Sequence, residues 1–244
     1  YNLLWTQEIP FCIRNFGLKE CKMKVGISKK AAICAIILLF VSICSLNASA
    51  SDLPVYSGWA KEEVSAAEDM RLLPFAMYDD CRRALHRDWA AAFLVRFVET
   101  VMNSPIESRG VQLFDDVPIG RPNFEDINKA YTIGVTKGVG DGTKFEPYRD
   151  ITREEYATML YRALDYIENE TGENILCNFN TAISFVDRDG IADWATEPIR
   201  ILSSVGLFQG TAQKKIEPKN AISIEQAIVL SYRGMLLVQD KTQK

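Results

Sequence analysis

The chain has 244 residues, 48% of them hydrophobic, and a formal net charge of −4. This composition is typical of a globular protein and excludes a chain that is disordered throughout. The acidic balance argues against a nucleic-acid-binding protein, because such proteins need a basic surface.

The N-terminal part has the pattern of a secretory signal. A basic stretch at Met23–Lys30 precedes a run of 14 mostly apolar residues at Ala31–Cys44, and an Ala-x-Ala site ends at Ala50. The run is shorter than the roughly 20 residues that a membrane-spanning helix needs, although an uncleaved membrane anchor is the alternative. We predict a signal peptide over residues 23–50 and an upstream extension of the reading frame over residues 1–22.

Residues 51–244 hold 22 basic and 30 acidic side chains, a net charge of −8. Only two of the six cysteines, Cys81 and Cys177, lie in this part of the chain. In an exported protein they could form a disulfide or remain free thiols, and the sequence leaves both open. With one histidine, His86, and no Cys/His cluster, no zinc-site spacing exists, and we predict neither a metal nor a cofactor.

Three segments of this part align without gaps: Leu85–Arg96, Ile151–Arg162 and Ile222–Arg233. In each, an aliphatic residue precedes the start of a predicted helix. Thr152-x-x-Glu155 and Ser223-x-x-Gln226 have the spacing of capping boxes, which satisfy the first free amides of a helix. His86 stands where these two copies have their N-cap residue, which predicts a local capping or surface role.

A second shared segment lies upstream of each long helix and predicts a shorter helix. Twelve residues after its first position, two copies have a glycine, typical of a helix C-cap, and the first copy has an arginine. The three pairs are Trp59 and Arg71, Pro122 and Gly134, and Trp194 and Gly206. Each unit therefore reads as helix, loop, helix. Such units bury their apolar faces only when packed together.

These units predict a mostly all-α fold of three repeats at residues 56–103, 114–168 and 185–238. Residues 104–113 and 169–184 are the predicted linkers.

The ordered motifs of the three repeats resemble the S-layer homology (SLH) family. The middle copy has FDDV, GVTKG, GDGTKFEP and ITREEYATMLYRAL, the last keeps FVD, DWA, GLFQG and IEP, and the first keeps GWAKEEV and LHRDWAAAFLVR.

The resemblance implies a pseudo-threefold unit around a central helical bundle. It also implies export to the bacterial surface and non-covalent anchoring to a secondary cell-wall polysaccharide, often one carrying ketal-pyruvate. In the family, the polymer lies in grooves between neighbouring repeats and meets a motif arginine, an aromatic residue and the glycine backbone of the loop. Arginine suits the pyruvate carboxylate, tryptophan suits the sugar face, and glycine allows close backbone approach.

Carried onto this sequence, the motif arginine is Arg153 in the middle copy and Arg87 in the first, whereas the last copy has Ile224. The aromatic residue is Trp59 in the first copy and Trp194 in the last, whereas the middle copy has Pro122. Gly138, Gly140 and Gly142 form the loop of the middle copy. A groove could combine Arg153 with Trp194, or Arg87 with an aromatic residue of a neighbouring repeat. We expect no more than two competent grooves.

Each of these residues also has a structural alternative. Arg153 and Arg87 could pair with nearby acids such as Glu154 or Asp150. The two tryptophans could be core residues, and the three glycines could serve only to shape turns.

Other chemistry is poorly supported by the motifs. GVGDG has the spacing G-x-G-x-G instead of G-x-G-x-x-G, which argues against a nucleotide loop. Asp187-Arg-Asp189-Gly190 lacks further calcium-ligand positions, and no nucleophile–base set stands out. We predict a non-enzymatic protein with the wall polysaccharide, and possible surface-layer proteins, as partners. The alternatives are a degenerate module that docks to surface proteins without binding glycan, and an enzyme if the sequence is a fragment of a longer protein.

Overall fold

The computed structural model describes residues 55–72, 80–177 and 184–242. The predicted signal peptide and upstream extension lie outside these residues. None of the described helices combines the length and the apolar character needed to cross a lipid bilayer.

Among the described residues, three short and three long α-helices alternate along the chain. The short helices are α1 (Lys61–Asp69), α3 (Phe124–Thr132) and α5 (Asp193–Ser204), and the long ones are α2 (Arg87–Met102), α4 (Arg153–Thr171) and α6 (Ile224–Thr242). A short 3₁₀ turn at Arg188–Gly190 precedes α5. The mostly all-α prediction is therefore confirmed. The helices extend beyond two of the predicted repeat ends, because α4 runs past residue 168 to Thr171 and α6 runs past residue 238 to Thr242.

The starts of α4 and α6 are fixed by the predicted capping boxes. The Glu155 amide donates to Thr152 Oγ1 at 3.3 Å, and the Thr152 amide donates to the Glu155 carboxylate at 2.9 Å. Ser223 and Gln226 form the same reciprocal pair at 3.2 and 3.3 Å. His86 occupies this position before α2 without making a side-chain cap, and its Nε2 lies 3.7 Å from Asp150 Oδ1. Both boxes are confirmed, and His86 has a surface position.

A closed ring of three backbone hydrogen bonds lies at the centre of the repeats. It joins the aliphatic residues that precede the long helices: the Leu85 amide donates to the Ile222 carbonyl at 2.9 Å, Ile151 donates to Leu85 at 2.9 Å, and Ile222 donates to Ile151 at 3.0 Å. All three side chains are fully buried. The ring defines a pseudo-threefold axis, because each repeat bonds to both of the others.

The first two amides of each long helix are bonded to the repeat that follows it in the cycle. In α4, the Arg153 amide donates to the Asn220 carbonyl at 2.9 Å, and Glu154 donates to Pro218 at 3.1 Å. The equivalent amides of α2 donate to the carbonyls of Arg149 and Pro147, and those of α6 donate to Arg83 and Cys81. These amides, which could otherwise bind an anion at the helix N-terminus, therefore already donate to protein carbonyls.

Each short helix packs on the long helix of the repeat before it. Helix α3 contacts α2, α5 contacts α4, and α1 closes the cycle on α6, while the three long helices contact one another. A buried carboxylate at the start of each long helix stabilises this arrangement. Asp88 Oδ2 lies 3.2 Å from Arg121 Nη2, Glu154 accepts the Ala192 amide at 3.0 Å, and Glu225 accepts the Ser57 amide at 2.8 Å.

Arg71 takes the backbone conformation that glycine has in the other two copies. Its φ is +57°, beside +75° at Gly134 and +80° at Gly206. This left-handed conformation costs a residue with a Cβ roughly 1 kcal/mol. We predict that Arg71→Gly raises the free energy of unfolding by about 0.5–1 kcal/mol, since part of the gain is offset by the greater freedom of glycine in the unfolded chain.

Urea unfolding followed by circular dichroism measures this change. The matched control is Gly206→Ala, where a Cβ would have open space, so that only the backbone cost applies. It should lower the free energy of unfolding by about 1 kcal/mol. A less stable Arg71→Gly protein would contradict the assignment of backbone strain to Arg71.

Candidate functional site

Two grooves in the described part of the chain bring residues of all three repeats together. The Arg87 groove, of about 370 Å³, is defined here by Arg87, Gly138, Arg162 and Trp194. The Arg153 groove, of about 220 Å³, is defined by the equivalent residues Arg153, Gly210, Arg233 and Trp59. In each, one repeat supplies the motif arginine, the next supplies the loop and a long helix, and the third supplies the tryptophan. Of the two combinations considered from the sequence, the structure has Arg87 with an aromatic residue of another repeat, Trp194, whereas Arg153 lies with Trp59 and not with Trp194.

Arg87 is held almost entirely below the surface of its groove, with 5% of its area exposed. Its Nη1 lies 3.4 Å from Glu155 Oε1, its Nη2 donates to the Gly138 carbonyl at 3.3 Å, and its guanidinium lies over the Phe145 ring at 5.1 Å. Its Nε is buried and has no hydrogen-bond partner among the described residues. Burial lowers the pKa of Arg87, and the charge of Glu155 opposes this effect, so the side chain stays cationic.

Glu155 connects Arg87 to a second arginine at the edge of the groove. Arg149 makes two hydrogen bonds to the Glu155 carboxylate, at 2.6 and 3.0 Å, and its Nε bonds to Glu146 at 2.7 Å. Burial by itself would raise the pKa of Glu155, but the hydrogen bonds from Arg149 and the Thr152 amide lower it overall. Glu155 is therefore ionised at neutral pH, and it orients both arginines.

Arg153 is half-buried and is oriented by neutral groups. Its Nε donates to the Ile216 carbonyl at 2.7 Å, its Nη1 donates to Gln226 Oε1 at 3.2 Å, and its guanidinium lies 5.4 Å from the centre of the Phe208 ring. Within the described residues it forms no ion pair with Glu154 or Asp150, so that structural alternative is wrong. Arg87 does have an acidic partner, but the partner is Glu155.

Trp59 and Trp194 are exposed, at 54% and 52% of their area. The alternative that they are core residues is therefore wrong. Trp59 lies in the turn before α1, and Trp194 is the second residue of α5. Each presents aromatic surface to its groove, where a flat ligand can contact it.

The three glycines of the middle loop all have left-handed backbone conformations, which confirms their role in shaping turns. Gly138 and Gly140 line the Arg87 groove, whereas the Gly142 amide closes a turn by donating to the Val139 carbonyl at 2.9 Å. At Gly138 a Cβ would lie 2.8 Å from both the Lys144 carbonyl oxygen and the Phe114 ring. Gly138 is thus required by close packing as well as by its backbone angle.

Comparison with known proteins identifies the family. Residues 113–157 and 184–228 match the family model described as the S-layer homology domain. These two segments are S-layer homology domains. The first repeat, at residues 56–103, lies outside both matched segments.

Several curated proteins share this SLH region. The chain is 31% identical over 123 residues to Exoglucanase XynX of Acetivibrio thermocellus, covering 50% of this chain and 11% of that protein. It is 30% identical over 109 residues to Cell surface glycoprotein 1 of the same species, covering 45% and 5%. It is 30% identical over 133 residues to S-layer protein sap of Bacillus anthracis, covering 53% and 15%.

The chain therefore spans only a small fraction of each of these relatives. The comparisons confirm the predicted SLH family and a location at the cell wall or cell surface.

Three further groove residues are not among the predicted site residues: Arg162, Arg233 and Gly210. In the sequence, Arg162 and Arg233 end two of the aligned segments, and Gly210 ends the GLFQG motif. A Cβ at Gly210 would lie 2.7 Å from the Lys215 carbonyl oxygen and 2.7 Å from the Phe185 ring, as at Gly138. The alignment of GVTKG with GLFQG, and the shared final arginine, were the signals that could have identified them.

The motif aspartates of the two SLH domains hold the loops in place. Asp187 accepts the amides of Ile216 and Glu217 at 2.9 and 2.8 Å, and Asp116 accepts those of Phe145 and Glu146 at 2.8 and 2.7 Å. Burial would raise the pKa of Asp187, but these backbone hydrogen bonds lower it. The Asp187–Gly190 stretch is thus a structural turn. No cluster of three potential metal ligands occurs in the described ranges.

The interface around Ile224 differs from the two arginine-containing grooves. Ile224 is 94% buried and borders a hollow of about 300 Å³, together with Arg83, His86, Trp89 and Asp150. An apolar side chain here replaces the motif arginine, and Trp89 stands where Glu155 stands in the middle copy. The hollow therefore lacks the motif arginine of the other two interfaces, and the charged side chains that line it, Arg83 and Asp150, lie at other positions.

Cys81 and Cys177, for which the sequence allowed either a disulfide or two free thiols, are free thiols. Cys81 is buried and Cys177 is exposed. Burial, with a smaller contribution from Glu225, raises the pKa of Cys81 to about 11. Cys81 is therefore a protonated, packed side chain at neutral pH.

Proposed function

We propose that this chain anchors an exported protein to the bacterial cell wall by binding a secondary cell-wall polysaccharide, of the pyruvylated type, in the Arg87 and Arg153 grooves. The observation that carries the proposal is the meeting of a fixed guanidinium, an exposed tryptophan and loop backbone in each groove. The anchoring role requires no catalysis, and we propose that these residues are not enzymatic.

The chemistry of the grooves suits an acidic sugar. A pyruvate ketal carries a carboxylate, and a guanidinium meets a carboxylate with short, charge-assisted hydrogen bonds. The tryptophan ring offers apolar area to the C–H face of a sugar. Because Arg87 and Arg153 are already held by protein groups, little side-chain entropy is lost when the ligand binds.

We also propose that residues 56–103 form a third, degenerate SLH repeat. The closure of the backbone ring by Leu85 and the packing of α1 on α6 support this assignment. The grooves depend on that repeat, because it contributes Arg87 to one and Trp59 to the other. A protein with only the two matched SLH domains would lack part of each groove.

A binding assay on purified cell walls tests the proposal. We predict that the protein sediments with native walls and stays in solution once the secondary polysaccharide has been removed. Arg153→Ala should weaken binding about tenfold or more, the range expected for loss of a charge-assisted contact. The net charge of −8 gives no long-range attraction to an anionic polymer, so binding rests on the arginines of the grooves. Salt should weaken binding, because it screens the attraction of these local positive charges for the polymer.

The matched control is Arg188→Ala. Arg188 belongs to the last repeat, is 71% exposed and lies outside the residues that line either groove. Its replacement should leave wall binding unchanged. Equal retention on native and stripped walls would contradict polysaccharide anchoring.

A second candidate function is docking to another surface protein without glycan binding. Ile224 and the neighbouring Trp89 favour it, because an apolar and an aromatic side chain replace the motif arginine and its glutamate partner at one of the three interfaces. Retention on stripped walls that still carry surface proteins, and loss of retention after those proteins are extracted, would support this function instead.

A further inference from the structure

The two grooves differ in charge at positions that are otherwise equivalent. Arg149 and Lys137 line the Arg87 groove. In the alignment of the repeats, the next repeat has Asn220 in place of Arg149 and Gln209 in place of Lys137. Two cationic positions of the first groove are therefore neutral in the second.

Arg162 and Arg233 occupy equivalent positions in the two grooves but have different partners. Arg233 makes a bidentate ion pair with Glu63 of α1, with Nε–Oε1 and Nη2–Oε2 distances of 2.7 and 2.9 Å. Arg162 has one hydrogen bond, at 3.5 Å to the Val135 carbonyl, and no carboxylate partner within the described residues. The cause lies in the short helices. Glu63 follows Trp59 by four residues, and the residue four after Trp194 is Pro198.

The formal charges of the groove residues add to different totals. The Arg87 groove has four cations and two carboxylates: Arg87, Lys137, Arg149 and Arg162 against Glu146 and Glu155. The Arg153 groove has Arg153 and Arg233 against Glu217, with Glu63 on Arg233. The residues that line the first groove sum to +2, and those that line the second sum to +1, which the ion pair of Arg233 with Glu63 reduces to zero. Because Glu155 already engages Arg87 and Arg149, the cations left to meet a ligand carboxylate in the first groove are Arg162 and Lys137. Lys137 is exposed, whereas Arg162 is half-buried on α4 and presents a planar guanidinium, which suits a carboxylate better.

We infer that the two grooves divide the recognition of the polysaccharide. The Arg87 groove recognises the carboxylate of the acidic sugar, with Arg162 as the residue that determines this specificity. The Arg153 groove binds an uncharged sugar, with Arg153 donating charge-assisted hydrogen bonds to sugar oxygens and Trp59 contacting the apolar face of the ring. This inference rests on the proposed function and assigns different chemistry to each groove.

Calorimetric titration of the full chain with two forms of one polysaccharide tests the inference. The probes are fragments of the wall polymer that carry ketal-pyruvate, and the same fragments after mild acid has removed the ketals. We expect Arg162→Gln to lower the affinity for the pyruvylated fragments about tenfold and to change the affinity for the acid-treated fragments less than about twofold. Arg233→Gln should change the two affinities by the same factor.

Glu63→Gln gives a test in the opposite direction. It removes the carboxylate that neutralises Arg233 and should raise the affinity for the pyruvylated fragments about threefold, an effect of the size of a single exposed charge. Thermal unfolding of each variant shows that the fold is kept, as expected for side chains that are partly exposed.

The outcomes separate the inference from the proposed function. Equal affinity of the unaltered protein for both probes would overturn the inference and leave polysaccharide anchoring intact. Selective loss with Arg233→Gln, and none with Arg162→Gln, would also overturn it. No binding of either probe would overturn both.

Discussion

Replacing Gly210 with alanine is expected to lower the free energy of unfolding by about 3 kcal/mol or more, and Gly138→Ala should have a similar effect. The backbone of Gly210 has a φ of +72°, which already disfavours a Cβ. The Cβ would also lie 2.7 Å from the Lys215 carbonyl oxygen. That oxygen cannot move away freely, because it accepts the Thr211 amide at 2.8 Å and so closes the loop.

Gly140→Ala is the matched control for this prediction. Gly140 lies in the same loop as Gly138 and has a φ of +57°, but no atom lies within 4 Å of the position of a Cβ. Its replacement should therefore cost only the backbone strain, about 1 kcal/mol. Denaturant unfolding measures all three variants. Equal losses at Gly138 and Gly140 would contradict the role of close packing against the Phe114 ring and the Lys144 carbonyl.

The local parts of the fold could be predicted because their signals are short in sequence. The capping pair Thr152 and Glu155 depends on residues three apart, and the hydrogen bonds agree with that spacing. The same holds for the left-handed glycine after each of α3 and α5. The helix ends were less accurate, although Gly172, the left-handed C-cap residue of α4, is a sequence signal for the end at Thr171.

The composition of the grooves could not be predicted, because it depends on the cyclic order of the repeats. Arg87 and Trp194 are 107 positions apart and meet only because α5 packs on α4 while α2 lies beside α4. The role of Arg162 was hidden for a different reason. Its availability depends on Pro198 standing where the first repeat has Glu63, and such a missing partner becomes visible only in three dimensions.

Ile151→Ala is expected to lower the free energy of unfolding by about 3 kcal/mol, within the range for removing a large buried aliphatic side chain. Ile151 is fully buried beside the pseudo-threefold axis, and its amide and carbonyl both belong to the central ring. Alanine keeps these backbone hydrogen bonds, so the loss reports packing at the axis. Denaturant unfolding gives the value, and Ile119→Ala, at a side chain 68% exposed, should cost less than about 0.5 kcal/mol.

The same substitution at the other two ring positions tests whether the three repeats are equivalent. Leu85 and Ile222 are as buried as Ile151 and make the same bonds, so Leu85→Ala and Ile222→Ala should each cost an amount close to that of Ile151→Ala. Each variant should unfold in one transition, because every ring residue bonds to both other repeats. A much smaller loss for Leu85→Ala, or a separate early transition, would show that the first repeat is not an integral part of the unit. The proposed third SLH repeat would then be wrong.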